Sequence, residues 1–252
     1  RKILVLMEKI TAFCAHRVIC ISDSVKKLGL NDRLFKEEKA VVINKGSSNG
    51  INLAQFDPSK ISLEAKEALR SKLQLDGMFV FGFLGRIIDR KGIRALVDAF
   101  TRFYEEQPNS RLLIVGPVEA GQLNDKSVMD EIEEHPGIIW PGRTDEVPLH
   151  LAIMDVFVLP AWWEGFGNVL VQAAAMGVPV ISTTGTGTID AVSDGFNGIL
   201  VPIKTVEPLQ EAMAKLYLDS SLRNEMAANS VIWSRNFSSE LIWKGMNQLY
   251  LQ

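Results

Sequence analysis

The sequence predicts an α/β protein with a doubly wound parallel sheet, and three observations carry that reading. Apolar runs of four to seven residues recur along the chain, they are continuously apolar, and stretches of helical period separate them. Strands buried on both faces lose the in–out alternation of a half-exposed sheet. Strand–helix alternation with short loops is the pattern of layered α/β domains.

In order, the runs are HRVICIS at 16–22 and KAVVIN at 39–44, then MFVFGFLG at 78–85 and RLLIVG at 111–116. GIIWPG at 137–142, DVFVLP at 155–160, VPVIST at 178–183 and NGILVP at 197–202 complete the set. Helical period is clearest at 91–107 and 166–176, and 204–252 reads as helices only. Between the second and third runs lies NKGSSNGINLAQFDPSK at 44–60, too rich in Gly, Ser and Asn to continue a helix or a central strand. Two strands before it cannot make an independent sheet, whereas six after it make a complete Rossmann-like domain. The expected organisation is therefore the tail of one Rossmann-like domain with its crossover at 1–50, a second Rossmann-like domain at 51–237, and a helix at 238–252 that returns towards the first.

Composition narrows the class. With 47% hydrophobic and 23% charged residues in 252, the chain is neither disordered, collagen-like nor a mucin-like stalk. No run reaches the ~18 to 20 apolar residues of a membrane helix, so a soluble protein is expected. A net charge of −3 predicts no nucleic-acid partner. The charge is uneven, however: residues 1–50 hold ten Lys and Arg against five Asp and Glu, a net +5, which leaves −8 on the rest. Such a basic end suggests an anionic partner, a membrane surface for instance; a solvated basic helix is the plainer alternative. Cys14 and Cys20 both sit among apolar residues, which predicts two buried reduced thiols in a cytoplasmic protein. The opening residues carry no secretory cleavage signal, and the start at Arg1 suggests a piece of something longer.

Two segments carry candidate chemistry. In FVFGFLGRIIDRKGIRALVDAF a buried strand ends at Gly85, a basic turn follows, and a helix starts near Gly92. Ligands of open α/β sheets gather beyond the carboxyl ends of strands, so Arg86, Arg90 and Lys91 stand where a phosphate could be met. Cations at a helix start oppose its macrodipole, and three together point to an anion that offsets that cost. In DVFVLPAWWEGFGNVLVQAAAMGVPVIST a strand closes at Pro160, a loop presents Trp162, Trp163 and Glu164, and GFGN leads into a helix. Gly165 and Gly167 permit close backbone approach, and the first-turn amides of Gly167, Asn168 and Val169 have no helical acceptor, a ready anion nest. Glu164 suits hydroxyls rather than phosphate, and Gln172 lies two turns further along. A carboxylate and an amide flanking a phosphate nest suit a nucleotide sugar; the plainer alternative is a well-packed helix with an ordinary cap.

A third glycine cluster, TTGTGTIDAVSDGFNG at 183–198, lacks the third glycine and the distal acid of a dinucleotide fingerprint and reads as a loop near the site. His16, His135 and His150 have no metal or triad spacing and read as structural. Neither GxSxG nor a P-loop occurs. Asn236-Phe237-Ser238 matches a glycosylation sequon that a cytoplasmic chain would not use.

Taken together and in order, five blocks resemble the donor-binding half of a family four retaining glycosyltransferase of GT-B fold, similar to those that build bacterial capsule or other polysaccharides on a lipid carrier. They are VICISDSVKKLG with NGINLAQFDP, GRIIDRKG, LLIVG, the long run from WPGRTDEVP to AAAMGVPVI, and DAVSDGFNGILVP. The resemblance implies a metal-independent, cofactor-free transfer of a hexose from a nucleoside diphosphate sugar to a saccharide or polyprenyl-linked acceptor. A uridine nucleotide is the first choice of donor and a guanosine nucleotide the second. It implies that Arg86 and Lys91, beside Gly85, neutralise the diphosphate, that Glu164 holds sugar hydroxyls, and that the amides of Gly165, Phe166, Gly167, Asn168 and Val169 line the phosphate site. The backbone near Arg143 and Thr144 would meet the base. The family's second acidic position is Gln172 here, which weakens a hydroxyl contact by about 1 kcal/mol. A cytoplasmic enzyme, peripheral on the inner membrane face, is the implied setting. Two other readings are a nucleotide-sugar-binding module without transfer, favoured by Gln172, and an epimerase, which needs more carboxylates than Glu164.

Overall fold

The computed structural model describes residues 2–251. Arg1 and Gln252, the outer ends of the first and last expected segments, lie outside the described residues. Every expected run contains a strand, most of them shortened. The first two, β1 (Val18–Cys20) and β2 (Ala40–Val42), pair in parallel as a small sheet. The other six are β3 (Phe79–Leu84), β4 (Ser110–Val115), β5 (Ile138–Gly142), β6 (Val156–Leu159), β7 (Val180–Thr183) and β8 (Gly198–Val201). They form one parallel sheet in the order β5-β4-β3-β6-β7-β8. Chain order reverses between β3 and β6, and such a switch point opens a crevice beyond the strand ends where ligands bind.

Helices α1 (Lys2–Cys14) and α2 (Asp23–Asn31) accompany the small sheet. After the crossover comes α3 (Leu63–Lys72). The strands of the large sheet are then followed in turn by α4 (Ile93–Glu106), α5 (Ser127–Glu134), α6 (Val147–Ala152), α7 (Asn168–Ala175) and α8 (Thr188–Ala191). Three helices close the chain: α9 (Glu207–Leu218), α10 (Ser220–Ser234) and α11 (Ser239–Tyr250).

Burial explains the continuous apolar runs. All four residues of β6 are fully buried, as are Val80, Phe81 and Phe83 of β3. On α4 the spacing of Ile93, Leu96, Val97, Phe100 and Phe103 makes one apolar stripe, and Phe103 meets Phe81 edge-on at 5.2 Å between ring centres. Burial of each such ring stabilises the fold by roughly 1.5–3 kcal/mol. Strand ends fall short where neighbouring helices claim their residues. Ser22 caps α2 by accepting the Val25 N–H at 3.2 Å, so the first strand cannot extend to it. The Val178 N–H bonds back to Ala173 O at 3.0 Å and Pro179 has no N–H, so β7 begins at Val180.

One expectation is corrected. Cys20 is buried, and burial raises its thiol pKa, but Cys14 is exposed at the end of α1, whose Ile3, Leu4 and Phe13 are exposed too. The last helix meets the leading unit through Ile43, Asn44 and Gly245, with Asn44 Nδ2 donating to Leu241 O at 2.9 Å. Ile242 is buried, whereas Trp243 and Tyr250 of the same helix are exposed. Among the described residues no helix is long and apolar enough to cross a membrane.

Candidate functional site

The residues expected to meet phosphate, sugar and base line two adjoining cavities at the carboxyl ends of the large sheet, whereas Arg90, Trp162 and Trp163 line neither. One, of about 400 Å³, is lined by Lys91, Glu164, Gly165, Phe166, Gly167, Asn168, Val169 and Gln172, with Ile21 and Ser48 from the leading unit. The other, of about 270 Å³, holds Gly85, Arg86, Arg143 and Thr144, with Gly116 and Pro117 behind them.

Gly85 joins the two. The Lys91 side chain runs so close over it that a Cβ there would lie 2.7 Å from Nζ. No other residue could stand at this position without displacing the amine from the cavity mouth. Lys91, only 9% exposed, ends 3.1 Å from Glu164 Oε1. That contact is an ion pair outside hydrogen-bond geometry, so Glu164 Oε1 is a buried acceptor that no donor of the chain satisfies. Buried oxygens are rarely left so, and this one faces the cavity.

Glu164 is oriented through its backbone. Its N–H donates to Thr186 O at 2.9 Å, which lays the loop after β6 against the loop after β7. The glycine cluster expected near the site is there. Behind it α7 starts at Asn168 with Gly167 in a left-handed conformation (φ 81°) and no side-chain cap. Its first bond is Leu170 N–H to Gly167 O at 2.9 Å, so the preceding amides are open to the cavity. The macrodipole adds a partial positive charge at that point.

The basic turn behaves differently from the sequence expectation. Arg86 donates to both oxygens of Glu119 at 2.9 and 3.0 Å, Lys91 pairs with Glu164, and the Arg90 guanidinium lies over the Trp163 ring at 5.7 Å. Each cation thus already has a partner, and its position near a helix start does not by itself require an external anion. Glu119 was missed because its loop is 33 residues from Arg86 and nothing local marks it.

The second cavity is built of backbone. Gly116 N–H donates to Gly142 O at 2.8 Å, and Trp140 Nε1 donates to Gly116 O at 2.9 Å, which fixes the floor. The Arg143 side chain is exposed and pairs with Asp145 at 3.2 Å, while Thr144 Oγ1 accepts the Glu146 N–H at 3.0 Å and contacts His150 Nδ1. His150 is buried there, and His135 Nδ1 accepts the Gly137 N–H at 3.0 Å, both structural as expected; His16 is exposed. Burial lowers the His135 pKa. No cluster of His, Cys, Asp and Glu suited to a metal occurs among the described residues.

Residues 65–232 match the family model described as glycosyl transferases group 1. Over 98% of its length the chain is 37% identical to the capsular polysaccharide biosynthesis glycosyltransferase CapM of Staphylococcus aureus, of which it covers 64%. It is 25% identical over 97% of its length to the N,N'-diacetylbacillosaminyl-diphospho-undecaprenol alpha-1,3-N-acetylgalactosaminyltransferase of Campylobacter jejuni, of which it covers 62%. Among solved structures, Anabaena Alr3699/HepE in complex with UDP superposes with a TM-score of 0.87 at 22% identity, over 99% of this chain and 67% of that one. The chain spans a little under two thirds of the length of these two relatives.

Proposed function

The chain belongs to the group 1 glycosyl transferases, and from that premise we propose that it is the donor-binding part of a retaining glycosyltransferase. The reaction moves a hexose from a nucleoside diphosphate sugar to a saccharide or lipid-linked acceptor in bacterial cell-surface polysaccharide synthesis. One observation carries the proposal: a buried lysine, an unsatisfied carboxylate oxygen and the open amides ahead of α7 face one cavity at the switch point of the sheet.

In this reading the base lies in the cavity floored by Gly116 and edged by Arg143 and Thr144. The diphosphate spans Gly85 and meets Lys91 and the amides of residues 165–169. The sugar turns its hydroxyls to Glu164, while Gln172 bonds a ribose hydroxyl. As the bond to the diphosphate breaks, negative charge grows on the leaving oxygen, and groups already aimed at it lower the barrier most. Lys91, Arg86 once released from Glu119, and the α7 dipole supply that charge without a metal or other cofactor. The relatives' names speak of capsule and of a diphospho-undecaprenol acceptor, and the UDP complex of the Anabaena protein supports a uridine donor, with a guanosine donor as the alternative. The basic leading unit is read as a site of peripheral membrane contact.

The test is transfer by the complete enzyme that contains this chain, from UDP-sugars to a lipid-linked saccharide, with the anomeric configuration of the product read by NMR. Retained configuration is expected, and an inverted product refutes the mechanism. Gln172 favours a second reading, a binding module without transfer. Nucleotide binding with no transfer and no donor hydrolysis, unrepaired in Gln172→Glu, would establish it.

A further inference from the structure

The leading unit is tied to the candidate site at a point no cavity marks. Ser22 caps α2 from within, and the next open N–H of that helix, Ser24's, is taken by the carboxylate of Asp190 at 3.2 Å, 166 residues away. Ser24 Oγ donates to the same carboxylate and accepts the Gly187 N–H at 2.7 Å. A carboxylate at a helix N-terminus is held by both the dipole and charge-assisted bonds.

Gly187 is in turn wedged against Glu164. It has φ 81°, and a Cβ on it would lie 2.2 Å from the Glu164 carbonyl oxygen. Next to it Thr186 accepts the Glu164 N–H and bridges to Trp163. Two further contacts flank the cavity. The Ile21 side chain fills the space beside Gly165, and Asn168 bonds Ser47 Oγ at 3.1 Å and Ser48 Oγ at 3.2 Å. The serine hydroxyl is therefore one residue's backbone from the peptide that aims the unsatisfied carboxylate.

We propose that Ser24 and Asp190 are positioning residues, a clamp through which the seating of the leading unit sets the orientation of Glu164. Neither touches the cavity that would hold a ligand. They act through Gly187 and Thr186, so their loss disturbs the sugar end of the site and spares the nucleotide end. The clause about the sugar rests on the donor reading; the clause about the Glu164 backbone does not.

Two measurements on Ser24→Ala and the isosteric Asp190→Asn separate these clauses. Amide hydrogen exchange should quicken about tenfold at Glu164 and Gly187, by loss of local protection, and remain unchanged in β3 and β4. In calorimetric titrations both variants should bind UDP within about twofold of wild type, but lose about fivefold of the added affinity that UDP-glucose has over UDP. Ser24→Thr, which keeps the hydroxyl, should restore both. Unchanged exchange at Glu164 in variants that fold overturns the clamp, and so does an equal loss of UDP and UDP-glucose. If wild type binds neither ligand, the donor reading fails while the exchange result still decides the clamp.

Discussion

Replacing Glu164 by Gln should raise the affinity for a bare nucleotide and leave that for a nucleotide sugar nearly unchanged. Glu164 Oε1 stands 3.1 Å from Lys91 Nζ. A phosphate oxygen that meets the amine from the open side would lie about 6 Å from the carboxylate, a repulsion of roughly 3 kcal/mol between unit charges at an effective dielectric near 20. The two side chains keep 11% and 16% exposure. Solvent and salt screening at that exposure reduce the figure to about 1 kcal/mol, or roughly fivefold in affinity. Glu164→Gln should therefore bind UDP about fivefold more tightly. The sugar meanwhile loses a charge-assisted bond from its hydroxyl, worth about 1 kcal/mol more than a neutral one. Calorimetry at low salt with UDP and then UDP-glucose reads both terms, and the extra affinity conferred by glucose should shrink about fivefold. A variant that binds UDP more weakly than wild type refutes this assignment of charge, because Glu164 would then be holding Lys91 in place rather than competing for it.

Gly85→Ala should lower UDP affinity about tenfold through displaced Lys91 and lower the melting temperature as well, since φ 152° strains an alanine and the new methyl would lie 2.7 Å from the amine; unaltered affinity would separate Lys91 from the phosphate. Asp155 is half-buried and that burial raises its pKa, although it accepts the Val80 N–H at 2.7 Å. The folded state thus holds that proton more tightly than the unfolded chain, so stability falls as pH rises from the ordinary carboxylate range through the raised value. Asp155→Asn should match wild type in acid, melt higher at neutral pH and show a flatter profile; a lower neutral melting point would mean that Arg70 and Arg223 compensate the charge. Vesicles containing anionic lipid should bind the chain less when Lys26, Lys27 and Lys36 are neutralised. Lys39 belongs outside that set, because its Nζ donates to Phe13 O and Ala15 O, each at 2.7 Å, and so holds the end of α1. Unchanged binding discards the membrane contact.

Much of the fold was legible because its cause is local. Val156–Leu159 reads as a buried strand since every residue is apolar, and Gly167-Asn168 reads as an open helix start since neither side chain caps it. The candidate residues share cavities because each follows a strand of one parallel sheet, and the carboxyl ends of such strands must meet. What stayed hidden depends on partners far along the chain. Glu119 neutralises Arg86 and Asp190 clamps Ser24, and no spacing rule links either pair. Exposure at the end of α1 was misjudged for a related reason. Apolar neighbours around Cys14 imply burial only where another layer covers them, and the described residues supply none.

The central claim is that Lys91 and Arg86 stand over a nucleoside diphosphate site. Its most direct test is calorimetric titration of this chain with UDP and GDP, beside the Arg86→Ala, Lys91→Ala double variant. Micromolar binding of UDP, weaker binding of GDP and loss of both in the variant is the predicted result. Nucleotide binding that survives in the double variant would contradict the account.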